Sequence, residues 1–99
     1  MLRTRDSVLQ TLAENGAKIR GFGVRRLGLS GSWARGDAAP ASDLDLVVEF
    51  ERKSFDAYMD LKTFLEDLLG RPVDLVPTNA VKPHLRAPIL ESVVDVPGL

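Results

Sequence analysis

A chain of 99 residues has room for one domain and one core. Thirteen basic against fourteen acidic side chains leave a net charge of −1, so no broad polyanion-binding surface is expected and no direct contact with nucleic acid. The absence of cysteine excludes disulfides, thiolate nucleophiles, iron–sulfur clusters and sulfur-ligated zinc, while a single histidine, His84, excludes a multi-histidine metal centre. Any metal ion must therefore be held mainly by oxygen. The first residues lack the apolar stretch of a signal peptide, and no run approaches the ~18 apolar residues of a membrane span. The expectation is a cytoplasmic protein with no membrane partner.

Leu2, Val8, Leu9, Leu12 and Ala13 recur at near-helical spacing behind a Thr4 cap, which predicts a helix over 4–14 broken near Asn15-Gly16. Ala17 to Phe22 suits a further helical turn. Residues 24–30 read as a short strand with Leu27 and Leu29 on one face and Val24 apart from them. The glycine-bounded run Gly31-Ser32-Trp33-Ala34-Arg35-Gly36 reads as a tight turn into about one helical turn. A polar loop, 37–42, then leads into 43–50, where Leu44, Leu46, Val48 and Phe50 alternate with Asp43, Asp45 and Glu49 as in a strand with one buried face. Ser54 caps the next helix, Leu61, Phe64, Leu65 and Leu68 stripe it, and Gly70 and Pro72 end it. Residues 72–76 form a third strand carrying Asp74. A helical turn or two over 83–91 and an edge strand over 92–96 complete the chain.

The acidic residues of this frame carry its chemistry. Asp43 and Asp45 stand one strand period apart, so they project from one face with Cα atoms about 6.5–7 Å apart. Two carboxylates side by side are unfavourable without a compensating cation, and hard oxygens select Mg²⁺ or Mn²⁺. Asp74 adds a third carboxylate if its strand pairs beside theirs. Upstream, Gly31 lets a phosphate approach the main chain, and the Ser32 hydroxyl and free N–H groups donate to phosphate oxygens. A phosphate cradle joined by a short loop to an acidic strand is one half-site for a nucleoside triphosphate with its metal.

Gly31, Ser32, ten residues and then Asp43-Leu44-Asp45 resemble the G-S-x(10)-D-x-D signature of the DNA polymerase beta-like nucleotidyltransferases. Those four positions coincide by chance in roughly one chain in a thousand of this length, which makes the pattern far more specific than a lone D-x-D. The flanking runs 31–36, 42–48 and 73–76 are similar to those of the minimal nucleotidyltransferase (MNT) proteins, and the likeness extends from about Val24 to Val96. Ser30 departs from the aromatic residue that many relatives carry before Gly-Ser. The resemblance implies an α/β (α+β) fold, a small mixed β-sheet with helices packed on one face. It also implies two Mg²⁺ ions and transfer of a nucleoside monophosphate, AMP from ATP, to a hydroxyl. Asp43 and Asp45 would bind both ions, Asp74 the ion that activates the attacking hydroxyl, and Gly31-Ser32 the triphosphate. Many MNT proteins are encoded with HEPN-domain toxins and resemble antitoxins that modify a tyrosine of that partner.

Two other readings stand beside this one. The chain could be a nucleotide-binding module that silences its partner by occlusion, or it could modify a small molecule such as an aminoglycoside. An intact third aspartate favours the enzyme, and a chain with no room for an acceptor-binding domain disfavours the small molecule. Trp33 reads as packed or at an interface, Arg35 as solvating its helical turn, and Glu49 and Glu51 as a solvated strand end. Lys82, His84 and Arg86 make a weakly basic segment with no assigned role.

Overall fold

The computed structural model describes residues 4–35, 43–52, 54–78, 83–84, 88 and 93–97; for Ser32 and Arg35 it describes the backbone alone. Helix α1, Arg5–Glu14, starts where Thr4 accepts a hydrogen bond from the Ser7 N–H, and α2, Gly16–Arg20, follows directly. Strand β1, Val24–Leu29, leads into the single-turn helix α3, Gly31–Arg35. Strand β2, Leu44–Phe50, is joined to β3, Val73–Pro77, by α4, Phe55–Leu69, and β4, Val94–Asp95, comes last.

The strands form one mixed sheet in the order β3-β2-β1-β4. β2 runs antiparallel to β1 and parallel to β3, and β4 is antiparallel to β1. The α4 crossover allows the parallel pairing, because parallel strands need a connection long enough to bring the chain back to the same end. Alternation sends Leu27, Leu29, Leu44, Leu46, Val48, Val73 and Leu75 to one face, where they join Val8, Leu12 and Ile19 of α1 and α2 and Leu61, Leu65 and Leu69 of α4 in one buried cluster. The helices cover that face.

Three differences from the sequence reading have local causes. Val24 is buried with Leu27 in the core, because a bulge between Val24 and Arg26 lifts Arg25 out of the ladder and restores the parity of the face. On α4 the line of buried residues runs Leu61, Leu65, Leu69, while Phe64 and Leu68 sit half-buried beside it. Phe64 instead meets Phe22 with ring centroids 5.5 Å apart. The third strand lies one residue later than expected, although the Pro72 carbonyl still accepts the Leu44 N–H at 3.2 Å. In the tail, Pro83, His84 and Pro88 are helical; the loop 37–42, Lys82, Arg86 and the rest of the expected 83–91 helix lie outside the described residues.

Strand β3 is fixed from its outer side by α4. The Glu66 carboxylate accepts the Val73 N–H at 3.0 Å, and the Tyr58 hydroxyl donates to the Leu75 carbonyl at 2.7 Å. α4 itself ends at Gly70, whose φ of 68° is the left-handed conformation that glycine adopts without a Cβ penalty.

Candidate active site

Asp43, Asp45 and Asp74 belong to the sheet face opposite the core. Asp45 and Asp74 are direct partners in the parallel register of β2 and β3, and Asp43 immediately precedes β2, one strand period from Asp45. Both strands begin at this end of the sheet, and β1 ends there. The three aspartates are thereby brought to one corner, Asp43 and Asp74 exposed and Asp45 half-buried. Among the described residues, however, no trio of acidic or histidine side chains is drawn together closely enough to hold a metal ion. The aspartates are neighbours, not a closed ligand cage.

The chain leaving β1 folds directly over Asp45. The Ser30 N–H donates to the Asp45 carbonyl at 2.9 Å, and Gly31 then turns with a φ of 62°. A Cβ placed on Gly31 would lie 2.6 Å from the Asp45 Oδ2 atom. No other residue type gives both this conformation and this approach. Gly31 thus sets the α3 turn against a carboxylate oxygen, and the spacing from Gly31-Ser32 to Asp43-x-Asp45 has a direct spatial meaning. Ser32 lies in α3, and the expectation for its hydroxyl lies outside the described positions, as does that for the Arg35 side chain.

Burial pushes the Asp45 carboxyl above the ordinary carboxylate range, and the negative charges of Asp74 and then Asp43 push it further. A half-buried carboxylate whose ionisation is opposed by burial and by two neighbouring carboxylates, with oxygen donors alone, suits a hard divalent cation; so does the open approach left by Gly31.

The turn is held from behind. Trp33 and Ala34 are buried in the core, and Arg5 of α1 donates to the Ala34 carbonyl at 2.9 Å. The Arg71 guanidinium lies over the Trp33 ring, 4.9 Å from its centroid. Trp33 is therefore packed, as its bulk suggests. Arg71 carries no sequence signal, since its partner is distant in the chain. Gly28 also escapes the sequence reading: it faces the carboxylate side of the sheet, where a Cβ would meet the Val94 carbonyl oxygen at 2.9 Å, so β4 approaches β1 over a bare backbone. A glycine inside a strand, here between Leu27 and Leu29, is the pattern that would reveal it. On the same face Arg26 grips Asp95 through two hydrogen bonds, of 2.7 and 3.2 Å. Glu49 lies 3.8 Å from Arg25 and Glu51 is exposed, both at the far end of β2 from the aspartates. His84 is exposed.

Comparison with known proteins bears on this geometry. The nucleotidyltransferase domain family matches residues 8–96. Protein adenylyltransferase MntA of Thermococcus cleftensis is 42% identical over 76 residues, covering 76% of this chain and 77% of that protein. A Methanocaldococcus jannaschii protein, provisionally named a protein adenylyltransferase, is 43% identical over 75 residues, covering 75% of this chain and 81% of its own. A solved structure provisionally described as a minimal nucleotidyltransferase superposes with a TM-score of 0.72 at 36% identity, over 87% of this chain and 93% of that one. A chain from the complex of tri-AMPylated Shewanella oneidensis HEPN toxin with MNT antitoxin shares the fold, with a TM-score of 0.62 at 20% identity over 92% of this chain and 73% of the other.

Proposed function

Because the chain belongs to the nucleotidyltransferase domain family, we propose that it transfers AMP from ATP to a protein hydroxyl, and that the acceptor is a tyrosine of a HEPN-domain toxin which it thereby silences as an antitoxin. The observation that carries this reading is the in-register pairing of Asp45 with Asp74 beneath the Gly31 turn. It puts carboxylates and a close-approach backbone on one corner, as handling a triphosphate with its metal requires. The names of the relatives, protein adenylyltransferase among them, support the choice of AMP and of a protein acceptor.

Asp43, Asp45 and Asp74 would hold Mg²⁺, two ions with Mn²⁺ as a substitute, and Gly31-Ser32 would receive the triphosphate. Bound there, the metal supplies charge neutralisation for the triphosphate and a lowered pKa for the acceptor hydroxyl. The protein's own contribution is placement. β2 and β3 fix the carboxylates, Gly31 keeps the approach to Asp45 clear, and the buried Trp33 and Ala34 anchor the turn. We read residues 1–99 as one minimal domain acting in the cytoplasm, with the partner bringing the acceptor. No described helix is long and apolar enough to cross a membrane.

The test is the intact mass of a co-purified HEPN partner after incubation with ATP and Mg²⁺. AMP increments are expected with the wild type. Asp74→Asn should cut transfer by at least about 100-fold while the pull-down of the partner persists, because it exchanges one carboxylate for an amide of the same size and leaves the rest of any contact surface unchanged. If the wild type silences the partner without any increment, occlusion is the mechanism. Increments on an aminoglycoside and none on the partner would make the substrate a small molecule.

A further inference from the structure

Arg71 has no part in the site as described so far, yet it touches α3, which carries the glycine turn, and precedes β3, which carries Asp74. It follows Gly70, the left-handed cap of α4, and precedes Pro72, whose carbonyl accepts the Leu44 N–H. This puts it at the corner where β2 and β3 begin, three residues before Asp74. From there its guanidinium reaches the face of Trp33, 4.9 Å from the ring centroid. Trp33 is two residues after Gly31 and only 2% exposed.

Close packing confines the Trp33 ring, but the hydrophobic effect itself adds no directional attraction to hold it toward β3. A cation over the ring face does, since the attraction acts along the ring normal. The indole N–H meanwhile has no acceptor among the described residues, so no hydrogen bond there does the orienting. We propose that Arg71 is a positioning residue: through Trp33 it fixes α3, and with it the Gly31-Ser32 turn, at a set distance from the start of β3 and Asp74, so that nucleotide meets a turn already in place. This rests on the proposed binding of a nucleoside triphosphate at that turn. A turn that must be ordered by the ligand weakens ground state and transition state equally, so its signature is affinity and KM, not kcat.

Trp33 is the only tryptophan of the chain, so its emission reports on this ring alone. In the full-length protein, Arg71→Ala should weaken ATP binding with Mg²⁺, measured by calorimetry, by about five- to thirtyfold, the strength of a partly desolvated cation–π contact. KM for ATP should rise in step, with kcat within about twofold, and the Trp33 emission should change. Arg71→Lys, which keeps a cation, should recover most of the affinity. Trp33→Leu should cost a similar factor, and the double variant should cost no more than either single one. Additive losses would show that Arg71 contacts the nucleotide itself and would overturn the proposal; so would unchanged affinity in Arg71→Ala. If Trp33→Leu does not fold, the Trp33 emission carries the decision, because lost affinity in Arg71→Ala with an unchanged emission is also a refutation. Absence of AMP transfer by a wild type that binds ATP, with Arg71→Ala binding it more weakly, would sink the proposed reaction and leave the positioning role standing.

Discussion

Asp45 and Leu46 are neighbours in the chain and opposites in the sheet. Leu46 points into the helix-covered core and is fully buried; Asp45 points to the far face and meets Asp74 across the parallel ladder, where its ionisation is disfavoured. One face lowers the free energy of the fold, and the other spends part of that gain on like charges kept close together. The difference separates two kinds of constraint within a single strand. Core positions are chosen for what they bury, and the carboxylates for where a rigid sheet puts them.

The largest effect is expected on the core side. Leu46→Ala leaves a cavity under the central strand and should cost about 2–5 kcal/mol in urea unfolding, a large share of the ~5–15 kcal/mol that holds a domain together. A cost below about 1 kcal/mol would mean that the core is loosely packed and the contrast between faces weaker than it looks. Gly31→Ala probes the boundary between the faces. It forces a Cβ into the left-handed region and against the Asp45 carboxylate, and should cost about 1–2 kcal/mol. Adding Asp45→Ala should return part of that loss by removing the clash, and strictly additive costs would refute the contact.

The smallest effect has the opposite sign. Asp45 has its folded-state pKa raised, first by burial and then by Asp74 and Asp43, so the stability linked to its proton is complete below the unfolded carboxylate range and is lost as the pH rises through the folded value. In chelator-treated protein, Asp45→Asn should melt above the wild type at neutral pH, and the gain should vanish as the pH falls below about 4, where both carboxyl forms are protonated. A variant that melts lower at neutral pH would show that the ionised carboxylate supports the fold.

Much of this arrangement was legible in the sequence because it is periodic or local. The alternation over 44–50, the caps at Thr4 and Ser54 and the stop at Gly70 all act within a few residues, and each stands where the pattern puts it. For Asp74 the sequence offered only a condition, that its strand pair beside the one carrying Asp43 and Asp45, and the parallel register meets it. What stayed hidden was set by contacts between distant segments. The bulge that returns Val24 to the core depends on register with Phe50 and Glu49, and the bare backbone at Gly28 matters only because β4 comes to lie against it. The stacking of Arg71 on Trp33 joins a helix end to a turn from another part of the chain. No short window of sequence contains both partners.

The two hydrogen bonds that α4 sends to β3 also bear on how the protein behaves at high concentration. Among the described residues β3 is the last strand on its side of the sheet, and such an edge invites a strand from another molecule wherever its outward N–H and C=O groups are open. Here the Glu66 carboxylate already takes the Val73 N–H, and the Tyr58 hydroxyl already serves the Leu75 carbonyl. An incoming strand would have to displace a charged acceptor and a phenol before forming its first rung. Copies of this chain are thus kept from polymerising sheet to sheet along the border that carries Asp74.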